Sequence, residues 1–596
     1  MAKSILSSLK TQLSELKRKH LVVVLAIVIG LLSGCFAVFL KWSVSSIREI
    51  LTSNSMTQTL GGLYVIYPLL GILITVFIVH RLLKKRIFSG IPSVLYSISK
   101  KRSNVKTHNL FSSLVTSIFT AGFGGSAGLE GPLVQTNAAW GSNLGRLFKV
   151  DYKTKTLLIG CAAAAAMAAI FKAPLAAVVF AVEVLMLEFS VSSLIPLLVA
   201  SISAVMVTSF YGGDDSLIRF NLIHEFKLRE TGHFVLLGVL TGLSSVYFSR
   251  FYLFITTKFQ AIKNWKARAL SGGILLGIIV WIFPPLYGEG YEILNQLISD
   301  NGYNQQFRRI AEGTFFGNWT ESGSMMLLFL FCLVLFKVIA TSLTIGSGGI
   351  GGIFAPSLFM GGTLGFFFSR FFKYYEINTS LPSENFTLVG MAGLMAGVLH
   401  APLTAIFMIA EVAGGYGLYI PLMLTAATSY YVSKSLMKTT IYTKELAQRG
   451  ELITHDKDDA AMTLMNLEEL ISKDFQTFYP EQLLKDVEYI LEHTDQLLYP
   501  VVDKYGNLLG QITIDDLRPI LFKPGVFSET KIADVLSASP EVISIDDDIQ
   551  EVMKKFEDTE AWKLPVVNHT TYVGVISRTQ LLAAYREEIK SFNFED

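Results

Sequence analysis

The feature that most limits what this 596-residue chain can become is a duplicated pattern of broken apolar segments. Residues 171–184 read FKAPLAAVVFAVEV and residues 399–412 read LHAPLTAIFMIAEV, an offset of 228 (399 against 171), with Ala-Pro-Leu and the closing Glu-Val in register. A second pair, GLEGP at 128–132 and GIFAP at 352–356, is offset by 224 (352 against 128), each behind a Gly/Ser-rich run. Two pairs at nearly one spacing predict two repeated halves with interrupted segments in corresponding places. Repeats of that kind hold a binding site at their interface. Close helix packing explains isolated glycines but not a shared register.

The breaks lie in lipid. Only 16% of residues are charged, against roughly 25% in a soluble domain. Leu21 to Leu40 carries no charge. Its length meets the roughly 20 residues a spanning helix needs and exceeds the roughly 7–15 of a signal's apolar core. Residues 1–20, with Lys3, Lys10, Lys17, Arg18 and Lys19, read as a surface amphipathic segment on the cytoplasmic side. The next apolar stretch, Leu63 to Val79, ends at Arg81, Lys84, Lys85 and Arg86, which returns basic residues to that side. Apolar pieces continue to about residue 440, several too short to cross at full thickness, as in transporters. A net charge of +2 gives no ground for a nucleic-acid partner. Cys35, Cys161 and Cys332 sit in apolar runs and read as packing residues.

One carboxylate, Glu130, falls inside the GLEGP break. A charge at membrane depth is costly and marks a functional site by default. Broken backbone is tolerated there only where it is buried in protein or lines a cavity. A helix starting after such a break directs unpaired N–H groups and its positive dipole end into that cavity. The residues read as an anion path with an acidic gate; a purely structural carboxylate is the competing reading.

Past about residue 453 the composition turns soluble. LYPVVDKYGNLLGQITIDDL (498–517) and KLPVVNHTTYVGVISRTQLL (563–582) share one pattern of strand, turn, strand and helix start. Their prolines, Pro500 and Pro565, are 65 residues apart, which predicts a tandem of small α/β units.

Taken together, SGIP (Ser89 to Pro92), GLEGP, GIFAP and Tyr442 after the last membrane segment resemble the CLC family of chloride channels and chloride/proton exchangers. The tail resembles a pair of CBS modules. The resemblance implies a polytopic α-helical membrane protein of inverted repeats with broken helices, plus a cytosolic α/β CBS pair. It also implies a homodimer with one anion path per subunit, in the cytoplasmic (inner) membrane, with N-terminus and tail in the cytoplasm. The expected organisation is a segment 1–20, a transport domain 21–442 with repeats at about 63–210 and 230–434, a linker 443–465, and modules 466–526 and 527–596. Carried over residue by residue, the Ser89 and Tyr442 hydroxyls and the Ile353 and Phe354 amides would bind chloride. Glu130 would be the protonatable gate, and Gly90, Ile91, Pro92, Gly128, Gly131 and Gly352 the motif backbone. Amides and hydroxyls replace a hydration shell without a fixed countercharge. Ser89 alone could be a helix cap, and Tyr442 alone an interfacial anchor.

The chain departs from the family pattern at three places. Phe88 replaces a glycine before Ser89, and Leu129 replaces the Arg common before the gate. Val184 stands where coupled exchangers commonly carry a second, proton-relaying glutamate. Glu183 and Glu411 resemble the family's structural acids. The reading therefore leans to channel-like or weakly coupled chloride conduction. Proton-coupled exchange is the alternative, since water can carry a proton where polar partners and room exist. Serine at position 89 goes with chloride preference in the family, and proline with nitrate. Lys172 is either an anion-enriching charge or a snorkelling interfacial lysine.

CBS pairs often hold adenine nucleotides through a Ser/Thr and an Asp after the second strand. Thr513 and Asp516 fit; the second module has Ser577 and Gln580, without the acid. One nucleotide site is expected, or else a tail that only stabilises the dimer. No required cofactor, metal-ligand cluster, P-loop or nucleophile–base arrangement is evident, so no enzyme is expected. The alternative of another class, a divalent-cation channel or transporter with CBS sensors, would want clustered inward acids. A merely anchored CBS sensor would need one or two helices.

Overall fold

The computed structural model describes residues 18–52, 66–83, 90–187, 190–212, 226–298, 323–448, 462, 465, 467–494, 496–521, 523–539 and 541–593. Ser89, Phe88, nearly all of the N-terminal segment and most of the 443–465 stretch lie outside these residues. The chain forms two units, residues 1–452 and 453–596, described separately.

The described part of the first unit is helical throughout. Its first part holds α1 (Arg18–Thr52), ahead of the first repeat, then α2 (Tyr67–Phe77), α3 (Ile91–Lys100), α4 (Ser112–Gly122), α5 (Glu130–Leu147), α6 (Tyr152–Phe171), α7 (Pro174–Glu183) and α8 (Val191–Gly212). The second part holds α9 (Thr231–Gln260), α10 (Trp265–Ile282), α11 (Tyr291–Ile298), α12 (Gly323–Gly346), α13 (Phe354–Tyr374), α14 (Ser383–Leu399), α15 (Pro402–Val412) and α16 (Tyr419–Leu436), followed by α17 (Ile441–Gln448). Among the described helices six are long and apolar enough to cross a bilayer, within α1, α6, α8, α9, α10 and α12. The others are shorter or less apolar, α2, α7 and α15 being short apolar pieces. Helix α17 carries the chain past Tyr442 to Gln448, into the stretch that the sequence assigns to the linker.

Each break has a local cause. Helix α6 ends on Lys172 and α14 on His400, both left-handed, with φ of 55° and 53°. Each is followed by Ala-Pro, and the proline opens the next helix in its first turn. Proline fixes its own φ and disfavours helix in the residue before it, so the α6/α7 and α14/α15 joints are fixed by sequence.

The two repeats grip one another reciprocally. Glu183, closing α7, accepts from the Leu403 and Thr404 amides at the start of α15, at 3.2 and 2.7 Å, and from the Thr404 hydroxyl at 2.7 Å. Glu411, near the end of α15, accepts from the Leu175 and Ala176 amides at the start of α7, at 3.2 and 2.9 Å. Each acid caps the helix N-terminus of the other repeat, which satisfies orphan donors that lipid cannot. The same exchange recurs deeper. The Ser126 amide donates to Thr344 Oγ1, and the Ile350 amide to Thr120 Oγ1, both at 3.1 Å. Gly128 and Gly352 pair backbone to backbone at 2.9 and 2.7 Å. Reciprocal partners at offsets of 224 (344 against 120) and 228 (411 against 183) are what an approximate two-fold between the repeats produces.

In the second unit β1 (Leu498–Val502) pairs antiparallel with β2 (Leu508–Thr513). Strand β3 (Ile543–Ser544) runs parallel to β4 (Lys563–Asn568), which pairs antiparallel with β5 (Thr571–Ser577). The two cores exchange their flanking segments. Leu467 packs with Ile543, Val552 and Leu564, while Phe527 and Ile532 pack with Tyr499 and Ile512. The exchange follows from Ser472 bridging to Val575 of β5, which draws the entering chain onto the second sheet.

The cross-repeat caps make a stability prediction. Glu411→Ala leaves two helix-start amides without an acceptor and should cost about 1–2 kcal/mol, lowering the thermal midpoint of the solubilised protein; an unchanged midpoint would show that the cap contributes nothing. In the tail, burial alone would raise the Asp516 carboxyl, but hydrogen bonds from the Thr513 side chain and amide and from Ser537 hold it below the ordinary Asp range. Its contribution is therefore complete above the unfolded Asp value, about 3.9, and is lost as pH falls below it. Between about pH 4 and 3 the wild-type tail should lose stability more steeply than Asp516→Asn, as read by denaturant midpoints of the full-length protein.

Candidate anion path and acidic gate

Three helix N-termini meet at the centre of the membrane unit: α3 behind Gly90, α5 at Glu130 and α13 at Phe354. A Cβ built on Gly131 would lie 3.3 Å from Gly352 Cα and 3.5 Å from Gly90 Cα, so the three breaks touch. Gly90 has φ of 77°, a conformation that favours glycine. None of the N-cap positions Gly90, Leu129 and Ile353 supplies a side-chain cap. Capless N-termini buried away from water present N–H groups and dipole ends to whatever anion enters.

The side chain in place is that of Glu130. Its side chain is fully buried and folds back over the start of its own helix. Oε1 accepts the Tyr291 hydroxyl at 2.7 Å. A Cβ on Gly128 would stand 2.0 Å from Oε2, so only glycine there leaves room for the carboxyl. The Glu130 and Ala355 amides lie beside the carboxyl; Oε2 nevertheless has no hydrogen bond of good geometry among the described residues. The group is thus anchored on one oxygen and cradled on the other. Phe171, Phe354 and Tyr291 wall it off, with ring centroids 5.2 Å apart for Phe171–Phe354 and 6.5 Å for Phe171–Tyr291.

Ile353 and Phe354 are buried at the head of α13, in the same cluster. Ile91 is buried and Pro92 lies in the first turn of α3. Tyr442 is buried on α17, which packs against α3, and its hydroxyl is within electrostatic reach of Glu130. The structure therefore gathers Glu130, Ile353, Phe354, Tyr442 and the motif residues Gly90, Ile91, Pro92, Gly128, Gly131 and Gly352. Ser89 is outside the described residues, although its neighbour Gly90 is at the centre. Val184 is buried beside Leu185 in the apolar core and presents no group that could bind a proton.

Sequence reasoning passed over four residues here. Gln135 accepts the Gly90 amide at 2.8 Å and the Ser113 hydroxyl at 2.9 Å, pinning the head of α3 to α5. Tyr291 holds the Glu130 carboxyl. Glu289, between Gly288 and Gly290, accepts the Leu129 amide at 3.2 Å, directly in front of Glu130. Lys337, fully buried, donates to Gly288 O at 3.0 Å and stands 4.7 Å over the Phe359 ring, which ties down that loop. The signal that could have found them is YGEGY at 287–291, an acid between glycines after an apolar helix. The positive charge absent at Leu129 is supplied from elsewhere: Lys41 on α1 is within electrostatic reach of both Glu130 and Glu289.

In the tail, Thr513 and Asp516 bond to one another. The Thr513 amide and hydroxyl donate to Asp516 Oδ2 at 2.8 and 2.6 Å, and Ser537 donates to Oδ1 at 3.0 Å. This is a capping arrangement at the start of the helix Ile514–Leu521, and it engages both oxygens of the acid. Gln580 bonds Ser472 at 3.2 and 3.3 Å. Among the described residues no group of three His, Cys, Asp or Glu could hold a metal ion.

Residues 70–434 match the family model described as voltage gated chloride channel, and residues 467–523 and 532–587 match the CBS domain model. The H(+)/Cl(-) exchange transporter ClcA of Vibrio parahaemolyticus is 28% identical over 442 residues, covering 71% of this chain and 89% of that protein. A ClcA of Vibrio cholerae is 27% identical over 451 residues, covering 73% and 91%. Among solved structures, a slow cyanobacterial Cl-/H+ antiporter superposes with a TM-score of 0.61 at 22% identity, over 73% of this chain and 99% of that one. A eukaryotic CLC transporter does so with 0.58 at 17% identity, over 94% and 97%. Those two likenesses concern the fold. With paired breaks closing on one buried carboxylate, and the family model spanning most of the membrane unit, the chain belongs to the CLC family of chloride-transport proteins and carries a C-terminal pair of CBS domains.

Proposed function

We propose that this protein moves chloride across the membrane in exchange for protons, through the convergent helix starts, with Glu130 as the protonatable gate. The observation that carries the reading is the Glu130 carboxylate lying at those starts, held by Tyr291 at 2.7 Å, where an anion would otherwise lie. Chloride and carboxylate compete for the same amides. Protonation removes the charge that holds the side chain there, the carboxyl swings away, and chloride advances to the Ile353 and Phe354 amides and the Tyr442 and Ser89 hydroxyls. Because α1 starts at the basic, cytoplasmic end, Arg48 near its far end marks the external side, and Glu130 answers to external protons. The relatives named as H(+)/Cl(-) exchange transporters support coupling.

A second reading, channel-like or weakly coupled conduction, is favoured by Val184: with no acid there, a proton leaving Glu130 inward must travel along water. We further infer a homodimer in the cytoplasmic membrane, with the CBS pair in the cytoplasm. An adenine nucleotide at Thr513 and Asp516 would have to displace the Thr513–Asp516–Ser537 hydrogen bonds, so the tail's first role is structural. No step of this transport calls for enzymatic chemistry.

Purified protein in chloride-loaded liposomes, with a pH electrode outside, tests the coupling. Uphill proton movement driven by a chloride gradient supports exchange; chloride flux without protons supports the channel reading. Glu130→Gln should give chloride flux that no longer responds to pH and carries no protons, and retained pH dependence would show the gate to be elsewhere. Tyr291→Phe removes a hydrogen bond to a charged group, worth roughly 1.5–3 kcal/mol, so flux at neutral pH should rise by about tenfold or more; flux equal to wild type would mean that the hydroxyl does not hold the gate. Ser89→Pro should shift the anion ranking from chloride toward nitrate, and an unchanged ranking would remove Ser89 from the selective site.

A further inference from the structure

Glu130 is completely enclosed, so an external proton needs an intermediary to reach it. Glu289 is partly exposed and stands directly in front of it, its Oε1 on the Leu129 amide at 3.2 Å. The loop that presents Glu289 is built for one placement. Gly288 and Gly290 have φ of 68° and 99°, and a Cβ on Gly290 would come within 2.4 Å of the Phe359 ring. The Gly288 amide donates to Gly124 O at 3.1 Å, on the chain leading into the GLEGP break. The Gly288 carbonyl is fixed by buried Lys337. Tyr291, two residues past Glu289, bonds the Glu130 carboxyl. One short loop thus touches the gate on two sides.

The charged and titratable groups that face Glu289 come from every packed element. Behind it are Glu130 on α5 and Tyr291 on α11. Lys41 and Arg48 approach from α1 and Lys337 from α12, all within electrostatic reach. Arg48 also pairs with Glu292 at 2.8 Å and lies 5.7 Å from the centre of the Tyr287 ring. Three basic side chains thus surround one carboxyl.

We propose that Glu289 is the acid through which Glu130 exchanges protons with the external solution. External water protonates Glu289. The O–H bond on Glu289 then breaks as one forms on the Glu130 carboxylate, directly or along one water, leaving Glu289 anionic beside Lys41, Arg48 and Lys337. Glu130, now neutral, leaves the helix starts, and the reverse transfer resets it. Two acids this close titrate as a pair, so replacing one changes how the other responds to pH.

The proposal rests on Glu130 being the gate, and the test reads the two separately. Full-length protein in liposomes is assayed for chloride flux against external pH, as wild type, E130Q, E289Q and E130Q/E289Q. E289Q keeps an oxygen acceptor for the Leu129 amide but cannot pass a proton. The expected result is an E289Q flux that no longer responds to external pH, with the double variant matching E130Q. A wild-type profile in E289Q overturns the proposal, because it leaves Glu289 only a structural role. A double variant that differs from E130Q also overturns it, because Glu289 then acts on the path without the gate. Retained pH dependence in E130Q overturns the gate reading and this one with it. Where E289Q does not assemble, E289D and E289A decide: a response kept in E289D and lost in E289A supports the transfer, and equal profiles overturn it.

Discussion

Unpaired backbone amides at the heads of buried helices govern this structure. Lipid supplies no water to satisfy them, so every helix that starts at membrane depth must find an acceptor from the protein or from a passing ion. The membrane unit answers in two ways. At α7 and α15 permanent acceptors, Glu411 and Glu183, fill the need. At α5 and α13 the capping positions supply no side chain of their own, and the Glu130 carboxyl lies at the head of α5. The first solution builds the scaffold; the second leaves the helix starts where the proposed path would run. Both come from one physical demand, met by fixed or by releasable anions.

The repeat structure was legible in the sequence because Ala-Pro breaks and glycine runs leave marks in primary structure that packing cannot erase. Lys172 and His400 are unlike residues, yet both take the left-handed cap that Ala-Pro imposes next. Glu130 stood out because a lone acid between glycines in an apolar run has few uses. What stayed hidden was whatever depends on long-range closure. Tyr291 is 161 residues from the carboxyl it binds, and Glu289 is 160 from the amide it binds; neither belongs to a repeated pattern. Gln135 looks like any polar residue on a helix until its position against Gly90 is known. In the tail, the alternation of strand and helix announced two modules, but the exchange of flanking segments between their cores left no local mark.

Leu129 itself brings no charge to the Glu130 site. Charge near the gate comes from Lys41 and Arg48 on α1 and from Lys337 on α12, none near position 129 in sequence. A long-range field depends on where charges stand and not on which helix carries them. Substitution at one motif position is therefore a poor guide to the electrostatics of the whole mouth.

The crossed caps of Glu183 and Glu411 also set the scale of motion available. Each repeat holds the other's helix start through a carboxylate, so pulling the halves apart would strip both acids and four amides of their partners at once. Two clasps fastened in opposite directions resist opening from either side. A carrier that rocked one half against the other would have to undo both clasps at every turn.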